Sequence, residues 1–79
     1  MNIKSLFDKY KKEGYESYRN CMTKLTLLEL AQDLAERERL YADAKKSIEG
    51  HLEQITNLPF PLRQIFKRGQ NQAYVELMM

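Results

Sequence analysis

Leu27, Leu34, Tyr41, Ile48 and Ile55 recur every seven residues through the middle of this chain. Seven residues are close to two helical turns, so the recurrence holds one apolar stripe on one side of a long helix. A stripe of this kind has to pack against something. With only 79 residues, the chain buries roughly 60% of its unfolded surface and has a thin stability margin. The stripe therefore predicts a helix-to-helix partnership, either within the chain or between copies of it.

Length allows one domain at most. Natural proteins of this size gain stability from disulfides, a metal or oligomerisation. Cys21 is the only cysteine, so no disulfide can form within the chain, and a lone thiol suits a reducing compartment. His51 is the only histidine and no ligand cluster surrounds it, which argues against a structural metal or other cofactor. Oligomerisation is left by elimination. A formal charge of +2 is too small to indicate nucleic acid by itself. No apolar run approaches a membrane span and no secretory leader is recognisable, so a cytoplasmic protein is expected. At 43% hydrophobic residues the chain can fold.

The pattern reads as three pieces of a single helical domain. In residues 1–22, Asn2 can cap a helix in which Ile3, Leu6, Phe7 and Tyr10 share a face. Gly14 weakens that helix or lets a neighbouring helix approach closely, and one helix with a weak point there is the preferred reading. A turn is expected around Cys21–Thr26, after which Thr26 and Glu29 match a capping box. The long helix should then cover residues 26–57. Pro59-Phe60-Pro61 is the firmest break, since each proline lacks an amide hydrogen and drives its predecessor out of the helical region. In residues 58–79, Leu62–Lys67 can form a short helix ended by Gly69, followed by a polar turn at Gln70–Gln72. Ala73–Met79 reads as a helical turn or docked tail in preference to a lone strand.

The companions of the stripe are mixed. Three residues on from its members stand Leu30, Arg37, Ala44 and His51, and four on stand Ala31, Glu38, Lys45 and Leu52. This is not a strong leucine zipper. Core packing is the preferred role for the stripe, with a partner-binding groove as the alternative. The run Glu36-Arg37-Glu38-Arg39 alternates in sign, as a solvated helix face does. Cys21 has no base beside it, His51 has the neighbours of a boundary residue, and the three glycines form no phosphate loop. These patterns point away from an enzyme.

Two kinds of contact surface remain. Lys4, Lys9, Lys11, Lys12 and Arg19 interleave with tyrosines, and Arg63, Lys67 and Arg68 form a second basic patch. Basic residues among aromatics can follow phosphates and stack on bases, so a small nucleic-acid-binding regulator is one reading. The preferred one is protein binding. Phe60, Leu62, Arg63, Phe66, Lys67, Arg68, Tyr74, Leu77 and Met78 carry the residue types enriched at interfaces. Leu27, Leu34, Tyr41, Ile48 and Ile55 would build the scaffold or join copies of it.

The expected fold class is all-α: a helical hairpin with one long central helix and a short C-terminal helical segment, assembled as a homo-oligomer. In size and plan, through Leu27–Ile55 and the Pro59–Pro61 break, the chain resembles small helical accessory proteins of bacteriophages. These include antirepressors and inhibitors of host proteins. The resemblance implies a regulator that works by binding a repressor or a host factor.

Overall fold

The computed structural model describes residues 2–78. Met79, which the apolar stretch from Ala73 includes, lies outside the described residues. The fold is all-α, with α1 over Ile3–Leu30, α2 over Leu34–Asn57 and α3 over Phe60–Met78.

α1 begins where the sequence predicts. The Asn2 side-chain oxygen accepts the Ser5 amide at 2.7 Å, satisfying one of the four free N–H groups of a helix start. The expected turn at Cys21–Thr26 does not occur, and α1 runs on to Leu30. Thr23 and Thr26 donate their hydroxyls to the carbonyls of Arg19 and Met22, both at 2.9 Å. A hydroxyl bonded back to the preceding turn is a helix-interior side chain, so Thr26 caps nothing. The chain reverses at Ala31–Asp33 instead. There the Ala31 amide bonds back to the Leu27 and Leu28 carbonyls, and Asp33 accepts the Glu36 amide at 3.2 Å to start α2. The single long helix predicted for residues 26–57 is thus two segments of different helices.

α2 packs antiparallel to α1. Glu13 meets Gln54, Ser17 meets His51, and Asn20 and Cys21 meet Ser47. The seam is built from small and polar side chains: Ser17 and Cys21 of α1 face His51 and Ser47 of α2, and Ala44 is buried beside them. Leu40 continues it as a buried residue.

The proline break falls where predicted. Leu58 is extended, and α3 starts at Phe60 with Pro61 in its first turn, where a missing N–H costs nothing. Arg63 closes the corner, donating from Nη2 to the Thr56 and Leu58 carbonyls at 3.3 and 3.1 Å. α3 is longer than expected. It passes through Gly69 and Gln70–Gln72 without a stop, and residues 73–78 are helical. Gly69 has no positive φ, so it is no helix-ending residue. Its role is steric. A Cβ on Gly69 would stand 1.8 Å from the Lys11 carbonyl oxygen, and one on Gly14 would stand 1.9 Å from the Phe66 carbonyl oxygen. The two glycines let the backbones of α1 and α3 touch where the helices cross. Gly50, by contrast, meets nothing within 4 Å.

The core is small. Phe66 is the one large side chain that is fully buried, with Cys21, Leu40, Ala44 and Ala73 completing the buried apolar set among the described residues. The radius of gyration of 14.4 Å exceeds the roughly 12 Å of a compact domain of this length. An elongated body leaves much of each helix uncovered.

Candidate functional site: the outer face of α3

α3 has two faces, fixed by which residues recur at three-and-four spacing. Leu62, Phe66, Gly69 and Ala73 turn inward, half-buried or buried. Phe60, Gln64, Lys67, Asn71, Tyr74 and Met78 follow the same spacing on the outside, and all six are exposed. Leu77 lies beside the last two. Phe60, Tyr74, Leu77 and Met78 are 67, 50, 51 and 70% exposed, so apart from buried Phe66 and half-buried Leu62 and Ile65 the large apolar side chains of α3 stand outside.

The predicted contact residues divide accordingly. Phe66 is core, at 0% exposure, and cannot contact a partner. Its aromatic type suggested an interface, but its register with Gly69 and Ala73 places it against α1. Leu62 is half-buried on that inner face. Arg63 is engaged as the cap of α2. Phe60, Lys67, Arg68, Tyr74, Leu77 and Met78 are exposed as predicted.

The outer face is held firmly at its far end. Tyr15 of α1 donates its hydroxyl to the Glu76 carboxylate and accepts from the Arg19 guanidinium at 3.0 Å. The ring of Tyr74 meets the edge of Tyr18, centroids 6.4 Å apart. The last turns of α3 are thereby fixed relative to α1.

The two basic patches of the sequence come together at one point. Arg68 and Lys11 lie over the Phe7 ring, 5.8 and 6.0 Å from its centroid. This is a cation–π arrangement shared by α1 and α3. Val75 and Glu76 border the same hollow, so a carboxylate stands within it.

His51 lies at the junction of the three helices, 8% exposed. Its Nδ1 is 2.6 Å from the Ser17 hydroxyl, and its ring is tilted against Phe66 with centroids 5.4 Å apart. Burial holds its pKa below the ordinary 6.5, against a weaker opposing effect from the Gln70 side chain. That opposing contact is not a well-formed bond, because His51 Nε2 and Gln70 Oε1 both lack a partner of good geometry. A serine beside a histidine can form a nucleophile–base pair. Here, however, the pair is part of the α1–α2 seam, with the far side of the imidazole turned to Phe66. Among the described residues there is no group of three or more side chains suited to a metal ion, and no helix is long and apolar enough to cross a membrane.

The seven-residue stripe does not seat α1. Leu27 belongs to α1 and the other four to α2. Leu27, Leu34 and Tyr41 are 49, 72 and 59% exposed, and Ile48 and Ile55 are half-buried. α2 meets α1 through Leu40, Ala44, Ser47 and His51, one residue out of step with the stripe and so about 100° around the helix. Hydropathy alone could not find that seam, since most of its members are small or polar.

Comparison with protein-family models, with curated proteins and with solved structures finds no match to this chain.

Proposed function

We propose that this chain is a non-enzymatic regulator that acts by binding another protein through the outer face of α3. The observation that carries the reading is the apolar bulk left outside on that helix, where Phe66 is the one large apolar side chain that is buried. Gly69 and Ala73 face α1, whereas Phe60, Tyr74, Leu77 and Met78 face solvent. A helix that displays its apolar bulk beside Lys67 has the residue types of a contact surface. The Tyr15–Glu76 anchor supports the same reading, because a surface already fixed loses less entropy on binding. An antirepressor, or an inhibitor of a host or phage protein in the cytoplasm, is the specific form that the resemblance to phage accessory proteins implies.

The test is a combined Phe60→Ser, Leu77→Ser and Met78→Ser variant, which spares the Tyr74–Tyr18 contact. It should keep the helical circular dichroism of the parent and lose the protein that the parent captures from native host lysate, identified by mass spectrometry. Capture unchanged by the triple substitution refutes the assignment to α3. Deleting residues 70–79 is the poorer experiment, because it also removes buried Ala73.

The convergence of Lys11 and Arg68 on Phe7 favours one second reading, a nucleic-acid-binding regulator. Binding of that kind weakens steeply with salt. A salt-dependent mobility shift of DNA or RNA that disappears in Lys11→Ala/Arg68→Ala would establish it.

A further inference from the structure

α3 crosses α1 at Gly14, and toward the hairpin tip α1 and α2 are two helices that carry exposed Leu27, Leu30, Leu34 and Tyr41. On one side they form a groove lined by apolar Leu25, Leu28, Tyr41, Ala44 and Ile48 and bordered by Lys45 and Glu49. Leu34 and Glu38 continue the groove toward the tip. We propose that this face binds a second copy of the chain, the two α2 helices running antiparallel about a two-fold axis at Tyr41. The proposal concerns a different face from α3 and stands whether or not α3 binds another protein.

The register argues for this occupant. Leu34 precedes Tyr41 by seven residues and Ile48 follows it by seven, so the three stripe residues that line this groove are symmetric about Tyr41. An antiparallel copy centred there sets Tyr41 against Tyr41 and Leu34 against Ile48 of the second copy. The two-fold axis repeats the Leu34–Ile48 contact, as an isologous interface requires.

The charges obey the same axis. Glu38 stands three residues before Tyr41 and Lys45 four after it, on one flank of the stripe. Reversal of the second copy brings Glu38 against Lys45, and symmetry makes the pair twice. A parallel, in-register pair would instead put this flank of the two helices on opposite sides of the interface, where Glu38 and Lys45 of the two copies do not meet. Neither residue joins an ion pair within the chain among the described residues, where the pairs are Lys12–Glu16 and Arg39–Asp43. Two hairpins joined in this way form a four-helix layer around the Tyr41 stripe, a common way for short helices to complete a core. The heptad pattern then has a physical purpose that the α1–α2 seam does not supply.

Sedimentation of the full chain across the micromolar range tests the proposal, with twice the 9.4 kDa chain mass expected. Tyr41→Glu should give a monomer of unchanged helicity, its dimer Kd raised about 100-fold or more. Glu38→Lys and Lys45→Glu should each weaken the dimer about tenfold, and the two together should restore it. In a Cys21→Ser background, a mixture of Leu34→Cys and Ile48→Cys chains should form a disulfide between unlike chains, and neither variant should do so alone. A monomer at every concentration overturns the proposal and leaves the groove to another protein. A dimer indifferent to Tyr41→Glu, or single charge reversals not rescued in combination, overturns this face and register. A disulfide between two Leu34→Cys chains overturns the antiparallel orientation.

Discussion

Gly14 and Phe66 meet backbone to backbone: a Cβ added to the glycine would stand 1.9 Å from the Phe66 carbonyl oxygen and 2.8 Å from its carbon. The obstacle is main chain, which cannot rotate away as a side chain can. Gly14→Ala must therefore push α3 off α1, despite the gain of about 1 kcal/mol in helix propensity. The net loss should be about 2 kcal/mol or more. Gly69→Ala should behave alike, since Lys11 presents its carbonyl in the same way. Gly50→Ala, with nothing within 4 Å, should stabilise by up to about 1 kcal/mol. Urea midpoints of the three variants check this, and a destabilised Gly50→Ala alongside a neutral Gly14→Ala would reverse the argument.

These glycines mark where the sequence was legible and where it was not. Pro59-Phe60-Pro61 could be read directly, because a missing amide hydrogen acts locally. The Asn2 cap was legible for the same reason. Gly69 reads as a helix end in the sequence because its steric role depends on Lys11, 58 positions away in the chain. The turn was misplaced for a related reason. Thr26 with Glu29 and Asp33 with Glu36 are equivalent capping patterns, and only the continuation of α1 through Cys21, Leu25 and Leu28 decides between them.

That choice can be tested by substitution. Asp33→Ala removes the acceptor for the Glu36 amide and should cost about 1 kcal/mol. Thr26→Ala removes a hydroxyl bonded to the Met22 carbonyl within a helix and should change stability by no more than about 0.5 kcal/mol. The opposite ranking in thermal unfolding would return the turn to Cys21–Thr26.

Phe66 and Phe60 offer a sharper contrast, because both carry the residue type of a contact site. Phe66, fully buried beside His51, should cost about 3–5 kcal/mol when replaced by alanine. In a chain with so small a core, that loss could remove most of the cooperative unfolding transition. Phe60, 67% exposed, should cost about 0.5 kcal/mol or less. Chemical denaturation of the two variants distinguishes core from surface, and similar losses for both would contradict the two-faced description of α3.

The junction histidine gives the fold a pH dependence of defined sign. Burial disfavours the imidazolium, so His51 binds its proton more weakly in the folded chain than at the ordinary pKa of 6.5. Between those two values the unfolded chain carries more protons, and stability rises with pH. The contribution is fully present above about pH 6.5 and is lost as pH falls through that value toward the folded pKa. Melting temperature should drop by a few degrees between about pH 7.5 and pH 5.5, a window in which ordinary carboxylates remain ionised. His51→Asn keeps a polar group near the Ser17 hydroxyl but cannot take up that proton. Its melting temperature should start lower and stay nearly level across the window. A parent chain with no change over this range would show that His51 is not linked to unfolding, and a variant with the same slope as the parent would show that the proton is bound elsewhere.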